Sequence, residues 1–169
     1  WLITGKGEML INSEEETKVY SLRTDHNVNS QSIPLYNLEA TAGVVSLFND
    51  STDIEPIDYL KIPNLPKCDG ALFVTGDSMY PLLKSGDIVA YKQINDFKSE
   101  VFWGEMYLVS IEVSGDNYTM VKYVQKSEEG KDFIKLVSQN SHHQPKDIHL
   151  SKIKAMALVK ASVRYNFMK

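Results

Sequence analysis

The sequence predicts a mostly β domain of short antiparallel strands preceded by a polar linker, and three observations lead there. Beyond Asp50 the chain breaks into short β-rich runs, turn-forming clusters separate those runs, and few segments offer a helical period. Residues 1–10 are expected to be the tail of an upstream element, with Trp1 and Leu2 ending a helix that Gly5 stops. Residues 11–32 are mostly polar and read as a linker, with one short strand possible at 18–22. Composition then turns apolar at Ile33-Pro34-Leu35-Tyr36-Asn37-Leu38, which places a domain boundary near Ile33 and a single domain over 33–169.

Within that domain the expected strands are 71–75, 88–92, 105–112, 118–125, 133–137 and 155–164. Ser85-Gly86-Asp87, Ser114-Gly115-Asp116-Asn117 and Glu129-Gly130 punctuate them. The Ser114 to Asn117 cluster is a hairpin signal, so Lys122 falls on the return strand of a hairpin. The apolar run from Ile153 to Val163 reads as one long strand, with an edge that a second copy could pair.

Composition narrows the function classes. The chain has 169 residues, 43% hydrophobic and 24% charged, as expected for one domain of ordinary size plus an extra segment. No run of about 18 apolar residues is present, and the first residues do not follow a charged-then-apolar leader pattern. A cytoplasmic location without membrane contact is the expectation. The net charge of −4 argues against a phosphate-gripping surface on this piece. Cys68 is the single cysteine and reads as a small, partly buried side chain, with no metal site and no cofactor expected. His142, His143 and His149 read as solvated loop histidines, and Trp103, Tyr107, Tyr118 and Tyr123 as core or interface material.

Two segments 44 residues apart (122 − 78) carry the chemistry. Gly76-Asp77-Ser78-Met79-Tyr80-Pro81 puts a serine on a tight turn leaving the apolar run Ala71-Leu72-Phe73-Val74, which displays its hydroxyl. Met120-Val121-Lys122-Tyr123 puts a lysine among apolar neighbours that can strip water from its ammonium and lower its pKa. A neutral lysine can take the proton of a serine hydroxyl, the Ser-Lys form of nucleophilic catalysis. Each element alone also has a plain structural reading. Ser78 can cap a short helix through Lys84, Lys122 can face water on an edge strand, and Ala42-Gly43 can be any loop. Asp77 and Asp87 read as turn and cap partners.

Taken together, the stretch from Gly76 through Ser78-Met79 and Pro81 to Gly86-Asp87-Ile88-Val89 resembles the serine motif of the LexA-like self-cleaving peptidases. That family includes LexA, lambda-type phage repressors and the UmuD mutagenesis proteins. Ala42-Gly43 is similar to the family's scissile pair and lies 36 residues before the serine (78 − 42), in a cleavage loop expected near 39–45. Lys122 sits in a strand motif like that of the family's general base. The resemblance covers roughly Ile33 to the C-terminus, and the opening residues more briefly resemble the tail of a phage-repressor helix-turn-helix domain.

The resemblance implies that Ser78 attacks the Ala42 carbonyl and that Lys122 takes its proton and later gives one to the Gly43 amine. Backbone N–H groups around Ser78, including its own and that of Met79, would hold the oxyanion, with Gly76 supporting the turn. It also implies a homodimeric repressor, inactivated by self-cleavage, that reaches operator DNA through the upstream domain. A RecA–single-stranded-DNA filament would be the promoter of cleavage, as in an SOS response, and no small-molecule partner is implied. Two rival readings are a non-cleaving dimerisation and effector module and a UmuD-like polymerase accessory protein. A type I signal peptidase shares the chemistry but needs a membrane anchor.

Overall fold

The computed structural model describes residues 31–37, 54–97 and 99–166. Nine strands form one sheet: β1 Ser32–Tyr36, β2 Asp58–Lys61, β3 Gly70–Phe73, β4 Ile88–Ile94, β5 Met106–Val113, β6 Asp116–Lys126, β7 Phe133–Val137, β8 Lys146–His149 and β9 Ile153–Val163. Their order across the sheet is β2-β1-β3-β4-β9-β5-β6-β7-β8. A single 3-10 turn, Leu150–Lys152, joins β8 to β9, with the His149 side chain accepting from the Ser151 N–H. The mostly β expectation is met, and all six expected strands are present with ends shifted by a few residues.

Three strands lie outside those expected. β1 contains Pro34, which has no N–H to give a ladder, so its sequence argues against an internal strand, yet it is inserted between β2 and β3. It runs parallel to β3, the single departure from antiparallel pairing among the described strands. β2 and β8 are four-residue edge strands with little buried surface, too short to show a period of two.

The β5–β6 hairpin turns through Ser114 (φ 56°) and Gly115 (φ 90°), with Val113 opposite Asp116. Two consecutive left-handed residues give a two-residue turn that matches the twist of the strands it joins. β9 pairs with β4 on one side from Met156 to Val163 and with β5 on the other from Ile153 to Leu158, so among the described strands the stretch from Val159 to Val163 keeps one side unpaired.

The core is divided along the sheet. One buried group gathers Leu72, Val74, Met79, Leu83, Val89, Tyr91, Leu108, Val121 and Ala157, and lies beneath the serine-bearing turn. A second, around Tyr107, Val109, Ile134 and Met156, fills the β5–β7 end. A third packs Ile33 and Leu35 of β1 against Cys68, Ala71, Ile88 and Ala90. Cys68 is buried, as expected of a small side chain. Tyr107 is fully buried, whereas Trp103 and Tyr118 are exposed by almost half, so the aromatic residues divide between core and surface.

Candidate functional site

Ser78 sits in the connection between β3 and β4, and the local sequence explains how that segment is held. Gly76 adopts φ +80°, a left-handed conformation that turns the chain out of β3. Tyr80 N–H donates to Asp77 O (3.0 Å) and Leu83 N–H donates to Met79 O (2.8 Å), forming one helical bend. Met79 and Leu83, four residues apart, drop into the first core group at 2% and 1% exposure. Their burial pins the bend while Ser78, next to Met79, stays half-buried at its rim. Among the described residues no hydrogen bond uses the N–H of Ser78 or Met79. The Tyr80–Pro81 peptide is cis.

The far side of this connection is tied to the end of β9. Arg164 Nε donates to Asp87 Oδ1 (2.9 Å), and its Nη2 donates to Leu82 O (2.8 Å). Asp87 also accepts from Lys84 N–H (2.8 Å). The Arg164 hydrogen bonds, with help from the Lys84 N–H, hold the Asp87 carboxyl below its ordinary pKa against the cost of burial. The expectation of turn and cap bonds for Asp87 is therefore met and extended by an ion pair.

Lys122 lies in β6 with Val121 and Val124 buried on either side, and is itself only 9% exposed. Burial lowers its pKa, and the Asp77 carboxylate works against that shift. The lysine does not face water on an edge strand. Its Nζ donates to Ser138 Oγ at 2.7 Å, and among the described residues this is its hydrogen bond; none joins it to Ser78.

The segment after β7 links the two halves of the site. Ser138 holds Lys122, and two residues on, Asn140 N–H donates to Ser78 O (3.0 Å). Asn140 Nδ2 donates to Asp77 O (3.1 Å), and its Oδ1 accepts from His142 N–H (3.1 Å). His143 is exposed on this loop, as expected, and its Nε2 also lies 2.8 Å from Asp77 Oδ1. Asp77 was expected to serve only its own turn, and instead joins that turn to the post-β7 loop. Ser138, Asn140 and His143 escaped the sequence reading because Asn140-Ser141-His142-His143-Gln144-Pro145 looks like any polar loop. The one available signal, the β6–β7 register with Tyr123 opposite Val137, places Ser138 beside Lys122 only once the pairing is known.

A shallow cavity of about 440 Å³ borders the serine turn, lined by Gly76, Asp77, Tyr80, Lys84 and Ser85. A larger one, about 730 Å³, lies around Phe97, Trp103, Lys126 and Phe133 and contains none of the residues just described. Volume alone does not locate the chemistry. No group of three or more His, Cys, Asp or Glu side chains among the described residues could hold a metal ion. Ala42 and Gly43, the 39–45 loop and the tail over 1–10 lie outside the described residues, as does the linker up to residue 30.

A displayed serine, a buried lysine of lowered pKa and one loop touching both form an arrangement suited to acyl transfer. The Peptidase S24-like family model matches residues 34–160, most of the chain. The chain belongs to that family. Its members are the LexA-like and phage-repressor self-cleaving peptidases, and the mostly β architecture is consistent with theirs. No curated protein matches the chain significantly. Among the described residues no helix of the S24-like domain is long and apolar enough to cross a membrane.

Proposed function

We propose that this chain is the regulatory part of a cytoplasmic DNA-binding repressor, switched off by cutting itself between Ala42 and Gly43. The observation that carries the reading is the Ser138-Gln139-Asn140 segment, which grips Lys122 at one end and the Ser78 backbone at the other. Lys122, short of water, gives up its ammonium proton more readily than a solvated lysine. Its neutral amine then takes the Ser78 hydroxyl proton as Oγ bonds to the Ala42 carbonyl carbon. The N–H groups of Ser78 and Met79, which make no hydrogen bond among the described residues, would receive the oxyanion. When the tetrahedral centre collapses, the bond to Gly43 nitrogen breaks and Lys122 returns a proton to that amine. Water then attacks the acyl group, Lys122 takes a proton from it, and Ser78 leaves with a proton restored.

The sheet supports the supply of substrate from the same chain. Tyr36 and Leu72 are opposite one another in the parallel β1–β3 pair. Ala42 lies six residues beyond Tyr36 and Ser78 six beyond Leu72 (42 − 36; 78 − 72), so both follow one paired position by the same length of chain. Six residues reach about 20 Å at most. A tether this short favours attack within one chain, which makes the proposed step unimolecular.

The unpaired side of β9 from Val159 to Val163 suits pairing with a second copy, which would bring two operator-binding heads together. The net charge of −4 leaves operator contact to the upstream domain, and a RecA filament is the proposed trigger. One observation favours the rival, non-cleaving module: the Lys122 hydrogen bond goes to Ser138 and not to Ser78.

A single experiment separates the two. Incubation at about pH 9–10, where a lysine of lowered pKa is neutral more often than a solvated one, is expected to release a C-terminal piece of 127 residues (169 − 42) starting at Gly43. Ser78→Ala and Lys122→Ala should each abolish that product in mass spectra. Full retention of the intact mass in the parent chain, or cutting that survives Ser78→Ala, overturns the proposal.

A further inference from the structure

We infer that cleavage does not by itself free the N-terminal piece, because that piece keeps β1, and β1 remains lodged in the sheet between β2 and β3 until it is pulled out. The inference rests on the proposed cut at Ala42-Gly43, which falls after β1 and before β2, so all of Ser32–Tyr36 stays with the N-terminal product.

The slot is built for that strand. Ile33 is 0% and Leu35 4% exposed, both packed among Cys68, Ala71, Ile88 and Ala90 of the C-terminal product. Four β2 residues face β1, from Ser32 opposite Lys61 to Leu35 opposite Asp58, and Ile57 N–H donates to Leu35 O at 2.9 Å. The grip extends upstream, where Gln31 Nε2 donates to Pro66 O (3.0 Å) and Gln31 Oε1 accepts from Cys68 N–H (3.2 Å). Every one of these partners lies downstream of Gly43.

The same geometry sets what release costs. Among the described strands β2 has no neighbour in the sheet other than β1, so extracting β1 removes the strand it pairs with and opens the edge of β3 along Ala71 and Leu72. Pro34 gives the slot no N–H, and the hold therefore depends on two apolar side chains more than on a continuous ladder. Inactivation becomes two events, bond breakage and strand extraction, and the second has its own rate.

The test uses the full chain after alkaline self-cleavage. Denaturing electrophoresis reports the cut, and size-exclusion chromatography of the undenatured sample reports whether the pieces travel together. Co-elution of the two pieces is expected, with release slow in the parent and faster in Ile33→Ala by on the order of tenfold or more. Immediate separation of the pieces, or a release rate that ignores Ile33→Ala, overturns the inference. If the denaturing gel shows no cut, the failure belongs to the cleavage proposal. The slot is then tested in the Ser78→Ala chain by nicking residues 38–53 with an added protease, and the same two outcomes decide it.

Discussion

At the scale of single residues, Lys122 has to be both neutral and aimed, and two different neighbours serve those needs. Burial favours the neutral amine, while Ser138 Oγ, accepting from Nζ, favours the ammonium and fixes its direction. Removing the Ser138 hydroxyl therefore has opposite effects on the two limbs of a pH profile. In Ser138→Ala the midpoint of the cleavage–pH curve is expected to move to lower pH. Its alkaline plateau should fall by about tenfold to a hundredfold as orientation is lost. Ser138→Thr should restore both. A simple structural defect would lower the plateau with the midpoint unmoved, and following product by mass spectrometry across pH distinguishes the cases. Asp77, the carboxylate acting against the lysine's shift, is itself bonded to His143 and is unchanged in these variants. Ser78 and Lys122 were picked out in the sequence by their combination, a serine after Gly-Asp and a lysine inside an apolar β run, and the structure buries Lys122 as those neighbours imply. Ser138, Asn140 and His143 were not, since their importance arises only from the pairing of β6 with β7 and from where the following loop lands.

Strands and their connections show the same division. β7 was legible to the residue at Phe133–Val137, and the β5–β6 hairpin announced itself through Ser114-Gly115, because alternation and turn chemistry are local properties. β1 was hidden by Pro34 and by its long-range parallel partner, and β8 by having Ile148 as its one buried residue. The Arg164–Asp87 tie was equally invisible, joining positions 77 residues apart. It fixes the connection that carries Ser78 to the end of β9, and it carries a pH signature. The Asp87 pKa is depressed below 3.8 in the fold, so its stabilising contribution is present above that pH and is lost as pH falls through the folded value. Arg164→Ala leaves a buried carboxylate without its cation. Thermal unfolding should show a lower Tm for the variant at neutral pH and a smaller further drop on acidification to about pH 3. Parallel acid limbs for the two proteins would show that the pair does not supply the linkage.

For the molecule as a whole, the proposed reaction has its substrate, serine and lysine on one polypeptide. Cleavage should accordingly follow first-order kinetics, with a rate constant unchanged over about a hundredfold dilution. A rate constant that falls in proportion to concentration would mean that one copy cuts another. Dilution that separates a β9-paired dimer leaves the intramolecular encounter untouched, so assembly state and cutting rate are expected to vary independently. The net charge of −4 is in keeping with the proposed division of labour, in which another part of the repressor holds DNA.

The pairing of Tyr36 with Leu72 gives both reacting positions a common origin, six residues away along each arm. The sheet then works as a ruler. Lengthening the arm before Ala42 would bring an earlier peptide bond under the hydroxyl, and slipping β1 by two residues along β3 would do the same with every side chain of the site in place. In the proposed reaction, which bond is broken is in this sense a measurement made by the sheet, as much as a choice made by the small side chains of Ala42 and Gly43.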